Sequence, residues 1–281
     1  MRPLHARLPT RAVVMAVGVL VGLVGLSACQ STAAPHSGFL SSYAGLGGAA
    51  GAAQGPLTVR DDVASDAVAR VYIFPAELRL LNSDLSVDEQ AMVRSEVDRQ
   101  ICFEVSERFL VAEAPSPDVA TVRTAIVRID PTNRAGSAVS AVAGFFIPIP
   151  VVKFRAPMTT GGLAVESELV APDGRQAAAL IWSHRAEIVG RVEPSMSRVG
   201  DALQLAEPLG DAVGDAFATD ARKVAAIPDR DPCAAFGARR NVGRMLANGL
   251  VGFGTGLYAP EVSGAGRAAK PAIEDASTPA P

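Results

Sequence analysis

The chain has 281 residues, 49% of them hydrophobic and 20% charged, with a formal net charge of −3. That composition excludes an intrinsically disordered chain and a multi-span membrane protein, and three cysteines are too few for a disulfide-dense miniprotein. So small a net charge supplies no basic stripe for a nucleic-acid backbone.

The first 28 residues read as an export signal. Arg2, Arg7 and Arg11 form a basic flank without an acid, and Ala12 to Leu26 is an uncharged apolar run of 15 residues. Such a run fits a signal-peptide core and falls short of the roughly 20 residues that span a bilayer. It closes on Leu26-Ser27-Ala28-Cys29, which resembles the lipobox of bacterial prolipoproteins. The resemblance implies cleavage before Cys29, a diacylglycerol on its sulfur and an acyl chain such as palmitate on the new amino terminus. The competing reading is an uncleaved anchor. Two or three acyl chains hold a protein stably, whereas one alone binds marginally. In lipoproteins of Gram-negative bacteria an aspartate after the cysteine favours inner-membrane retention; Gln30 stands there. The expected location is therefore the periplasmic face of the outer membrane. Removing residues 1–28 subtracts three arginines and no acid, which leaves 23 basic against 29 acidic side chains, net −6.

Residues 29–56, dominated by Gly, Ala and Ser, read as a flexible tether. Phe39, Leu40, Tyr43 and Leu46 are the apolar exceptions able to dock part of it on the body. A globular domain is expected over 57–228. Arg70 to Leu81 is rich in β-formers, with Pro75 confining its middle to an edge or a bulge. Ser86 and Glu89 form an S-x-x-E capping box, and Val93, Val97, Ile101, Val105 and Phe109 recur at every fourth position. That pattern predicts a helix over 86–112. Val119 to Ile129 alternates as a strand. Residues 162–189 read as a hairpin turning at Asp173-Gly174. With a two- or four-residue loop, Leu163, Val165 and Leu169 share a face with Leu180, Trp182 and His184, while Glu166 and Glu168 face water. A three-residue loop shifts that register. Arg198 to Ala226 is a second helical stretch, with Leu205, Leu209, Val213 and Phe217 spaced by four and Pro208 starting or kinking a helix. A glycine-rich extension over 229–262 and a disordered tail over 263–281 complete the chain.

Strand, helix, strand, long loop, hairpin and helix in that order predict an α+β fold, a two-layer sandwich with a mainly antiparallel sheet covered by two amphipathic helices. Three stretches carry a family resemblance: Ser37-Gly38-Phe39-Leu40-Ser41-Ser42-Tyr43, the strand and turn from Gly161-Gly162 to Gly174 with Glu166 and Glu168, and the Asp- and Ala-rich last helix. Together they resemble the bacterial lipoprotein family of domain of unknown function 3313. The family has no established activity, so the resemblance implies location and architecture, not chemistry.

Candidate chemistry is sparse. The mature chain keeps two histidines, His36 in the tether and His184 in the hairpin, too few for a dedicated transition-metal site. His184 is the plausible base for a nucleophile, but its neighbour Ser183 points to the other face of a strand. Glu166 and Glu168 share a face as a glycosidase pair would, yet on an exposed strand they read first as solubilising charges. The glycine clusters at 45–48 and 252–256 lack the lysine and the βαβ setting of a nucleotide loop. No catalytic residue, cofactor or metal is expected. Cys102 and Cys233 remain after Cys29 is acylated, and an even pair in an oxidising compartment predicts a disulfide, the alternative being two separate buried thiols. Ala138 to Met158 is apolar with three prolines. It reads either as a buried connection or strand, or as an exposed patch that meets the membrane or a partner.

The expected function is that of a non-enzymatic envelope lipoprotein, held at the outer membrane by its lipid and binding another envelope component. The rival readings are an envelope hydrolase acting on peptidoglycan or lipid and a lipid carrier.

Overall fold

The computed structural model describes residues 36–46, 55–146, 153–155, 158–187, 189–190, 192–237, 239, 246, 250–252 and 254–268. Cys29 and residues 1–28, expected to be an export signal, lie outside the described residues. The elements are β1 (Leu57–Arg60), α1 (Asp62–Ala67), β2 (Arg70–Ile73), β3 (Glu77–Leu78), α2 (Val87–Ser106), β4 (Leu110–Val111), β5 (Ala120–Asp130), α3 (Arg134–Phe146), β6 (Lys153–Phe154), β7 (Gly162–Val170), β8 (Gln176–Arg185), β9 (Val189–Gly190), α4 (Gly200–Phe217) and α5 (Pro260–Ser263).

Seven strands form one mixed sheet in the order β1-β8-β7-β5-β2-β4, with β3 also on β5. Its long pairings, β5 with β7, β7 with β8 and β8 with β1, are antiparallel, whereas β2, β3 and β4 join in parallel. The fold is thus α+β with a mostly antiparallel open sheet. Pro75 does what its missing N–H requires: β2 stops at Ile73, and β3 resumes along the same partner, Ile73 opposite Val122 and Glu77 opposite Ala125. The hairpin keeps the expected faces, with Leu163 opposite His184 and Val165 opposite Trp182. Its turn places Gly174 at φ +84°, in the left-handed region that glycine tolerates.

Helices α2 and α4 cover one face of the sheet. Val93, Val97, Ile101 and Val105 of α2 join Leu205, Leu209, Val213 and Phe217 of α4 in the main core with Val122, Ile126, Val165, Leu180 and Trp182. The two helices approach closely at Gly210, where a β-carbon would sit 2.9 Å from the Gln100 carbonyl oxygen. Ser86 and Glu89 form the complete capping box at the start of α2.

Four expectations need correction. Helix α2 ends at Ser106 rather than 112, because Leu110 and Val111 leave to pair with β2; Phe109 still fills the core. Helix α4 spans 200–217 rather than 198–226. Pro208 is accommodated inside it, and the chain turns extended at Ala218, after which Arg222 docks on the carbonyls of Ser65, Asp66 and Val68. The supposed strand or buried connection from 138 begins as helix α3, with Val139 and Val142 exposed; residues 147–152 lie outside the described residues. The tail does not start at 263. Residues 264–268 lie along α2, Ala265 is buried, and the Gly266 N–H donates to Glu96 Oε2 at 2.7 Å. Residues 269–281 lie outside the described residues.

Candidate functional site: a strap clasped on the sheet

The outer face of the sheet, opposite α2 and α4, carries the feature that the sequence concealed. Glu166 and Glu168 alternate with core residues on β7 and share a face, as expected, but that face is not open to water: both side chains are fully buried. What covers them is the segment 36–46, read above as tether. Small side chains on the outer face, Ala125 and Ala179, leave a recess beside Ile181 that Phe39, Leu40 and Leu46 fill. Arg79 and Arg123 lie over the Phe39 ring at 5.1 and 5.0 Å.

Hydrogen bonds then fix this strap in register with β7. Glu166 Oε1 accepts from the Ser37 N–H at 2.8 Å, and its Oε2 accepts from the Ser37 hydroxyl and the Tyr43 hydroxyl, both at 2.6 Å. Glu168 Oε2 accepts from the Ser41 N–H and from Gln176 Nε2, both at 2.8 Å, and its Oε1 from the Ser41 hydroxyl at 3.0 Å and Arg123 Nη1 at 2.9 Å. The Tyr43 oxygen in turn accepts from the amides of Gly38 and Phe39, at 2.8 and 3.0 Å. His36 stacks on Tyr43 with ring centroids 4.3 Å apart. Charge-assisted bonds of this kind are the strong ones, and satisfying every oxygen is what makes burial of two carboxylates tolerable. The spacing explains the motif: residues four apart on the strap, Ser37 and Ser41, meet residues two apart on a strand.

This arrangement gives the two glutamates a different chemistry from an acid/base pair. Each oxygen is occupied by donors of the chain itself. His184 is half-buried against Trp182, ring centroids 4.4 Å apart, and burial pushes its pKa down while Glu187 pulls it up. Ser183 faces the opposite side, its hydroxyl accepting from Arg128 at 2.7 Å. The structure therefore does not bring His184, Ser183 and the glutamates together. Among the described residues no group of three or more His, Cys, Asp or Glu is placed to hold a metal ion.

Cys102 and Cys233 form the disulfide, with their Cα atoms 5.9 Å apart. It fastens the segment after α4 to α2, reinforced by Arg239, which donates to the Phe103 carbonyl at 2.8 Å and lies over the Phe103 ring at 4.6 Å. Sequence reasoning missed one further polar centre. Arg155 and Asp201 are a fully buried pair, bonded at 2.8 and 3.0 Å; Asp201 also accepts from the Gly161 N–H, and its own N–H donates to the Thr132 hydroxyl. These bonds pin both ends of the excursion between β5 and β7 to the start of α4.

A family described as protein of unknown function (DUF3313) matches residues 35–213, so the matched region opens at the strap. Two solved structures of the PelC dodecamer from Paraburkholderia phytofirmans, one of them a single-residue variant, align at 11% identity with TM-scores of 0.34 and 0.33. They cover 59% of this chain and 98% and 97% of PelC. No curated protein matches.

Proposed function

The chain belongs to the DUF3313 family, and on that premise we propose that it is a non-enzymatic lipoprotein, anchored through Cys29 on the periplasmic face of the outer membrane, whose body binds another envelope component. The observation that carries this reading is the clasp. Only six residues separate Cys29 from His36, where the strap begins, and the strap is bonded into the middle of the sheet through Glu166 and Glu168. A load on the lipid is thereby passed to β7 within a few residues instead of being lost in a slack linker. The same bonds commit the two carboxylates that a peptidoglycan- or lipid-cleaving rival would need for proton transfer. Among the described residues no helix is long and apolar enough to cross a membrane; in this reading the acyl chains on Cys29 supply the attachment.

The test is a crosslinking pull-down from intact cells, comparing the wild-type chain with Cys29→Ser. The reading expects the wild type in the outer-membrane fraction with a discrete envelope partner, and the variant released in soluble form. A variant that stays in the membrane fraction overturns the anchor. Peptidoglycan or lipid hydrolysis that is lost in His184→Gln with unchanged folding overturns the non-enzymatic part.

A further inference from the structure

We propose that the outward face of α3 lies in the surface of the same bilayer that holds Cys29, so that the protein touches its membrane at two places; this rests on the anchoring reading above. The polarity of α3 is inverted. A helix on a globular surface turns its apolar stripe to the core, but here Ser137 and Ser140 are buried while Val139 and Val142 stand 64% and 63% exposed. The sequence from 135 to 152 holds no Asp, Glu, Lys or Arg, and Arg134 and Lys153 bracket it. An uncharged apolar stretch with basic ends suits the boundary between acyl chains and headgroups, where long cationic side chains reach back to water. The segment packed on α3 is also apolar outward. A β-carbon on Gly256 would lie 3.5 Å from the Ala141 carbonyl oxygen, and Leu246 and Leu250, a few residues before it, are 64% and 74% exposed.

The bilayer is chosen as occupant by the direction of the strap. From Ser41 at Glu168 to Ser37 at Glu166, the chain runs back along β7 toward Gly162. That is the end of the sheet where Gly162 pairs with Asp130 and Arg185, and α3 departs four residues after Asp130. From Glu166 to Gly162 is roughly 13 Å of strand, at about 3.3 Å per residue. The eight residues from Cys29 to Ser37 reach at most ~29 Å when fully extended. The described strap therefore heads toward the α3 end at Ser37, and the chain from there to Cys29 is long enough to let an acyl group on Cys29 reach the bilayer on that side of the body.

The experiment uses the full, lipidated protein in vesicles of phosphatidylcholine and phosphatidylethanolamine, carrying a spin label at Val142→Cys or, as control, at Val63→Cys. Val63 is 82% exposed on α1, just past Arg60 at the opposite end of the sheet. With Cys29 acylated and Cys102 bonded to Cys233, the introduced thiol is the labelling site. The expected result is a label at 142 relaxed several-fold more by oxygen than by a water-soluble nickel chelate, and a label at 63 that behaves as in water. A floating, acylated protein with a water-exposed label at 142 overturns this proposal alone. A label at 142 shielded from both reagents and broadened by a second spin overturns it in favour of a second copy of the chain. A protein that carries no acyl mass and does not float overturns the anchoring reading itself.

Discussion

Exchanging Glu168 for Gln keeps the shape of the side chain and reverses half of its hydrogen-bonding sense. Each oxygen of Glu168 accepts from two donors: Ser41 Oγ and Arg123 on one side, Ser41 N and Gln176 Nε2 on the other. With its NH2 turned toward Ser41 Oγ and Arg123 the new amide can donate to the hydroxyl, which turns to accept; the Arg123 bond is then lost and the other three lose their charge assistance. A bond to a charged acceptor is worth about 1.5–3 kcal/mol net, and the Arg123 side chain, 36% exposed, recovers part of its solvation when released. The loss is then about 3 kcal/mol, borne by the strap rather than by the α2–α4 core. Since 1.4 kcal/mol is tenfold in an equilibrium, the detached population rises about a hundredfold. Amide hydrogen exchange reads this directly. Ser41 and its neighbours in 37–46 are expected to exchange about a hundredfold faster in Glu168→Gln, where local opening governs exchange, while amides of α2 keep their protection. Strap amides that exchange as in the wild type would refute the reasoning, because Phe39, Leu40 and Leu46 would then be holding the strap without the carboxylates.

Three other outcomes follow from the same geometry. Asp98 accepts the Ala76 N–H at 2.7 Å, and burial raises its pKa from 3.8 to about 6. The folded state therefore keeps that proton where the unfolded chain has lost it, so this group's contribution falls as pH rises from about 4 to 6 and then levels off. Asp98→Asn keeps the acceptor and removes the charge; its urea-unfolding stability is expected to exceed the wild type's by about 2–3 kcal/mol at pH 7.5 and to match it at pH 3.5, and an unchanged pH slope between 4 and 6 would contradict the assignment. Opening the disulfide with Cys102→Ser and Cys233→Ser frees a loop of 131 residues, with a loss of up to ~4–5 kcal/mol in the chain-entropy model, read by denaturant titration under non-reducing conditions; two free thiols in the denatured, unreduced wild type would deny the bond. His184→Gln is expected to change stability by only about 1 kcal/mol and to leave partner capture intact, since the ring's contact is with Trp182.

How far the sequence disclosed this molecule depended on the range of the interaction. Local rules worked where a few neighbouring residues settle the matter: the capping box at Ser86 and Glu89, the break at Pro75, the faces of the hairpin. The disulfide followed from pairing the two cysteines left once Cys29 is set aside for the expected lipidation. Helix α2 was read too long because the fourfold spacing runs on to Phe109, while the demand of β2 for a partner at Leu110 is not written in that spacing. The strap defeated local reading more thoroughly. Alternation says that Glu166 and Glu168 share a face, but not that a segment 129 residues earlier covers it. The signal was present in Ser37, Ser41 and Tyr43 beside Phe39 and Leu40, a set of donors and apolar anchors richer than a tether needs. The Arg155–Asp201 pair was invisible for the same reason, its partners lying 46 residues apart in otherwise unremarked stretches.

The central claim is that the strap joins the folded sheet to a lipid. It is tested most directly by intact mass spectrometry of the protein extracted from outer membranes, followed by fragmentation of its amino-terminal peptide. The account predicts a chain that begins at Cys29 and carries a diacylglycerol on its sulfur and an acyl chain on its amino group. A chain that retains Met1, or one that begins elsewhere without acyl mass, would contradict it.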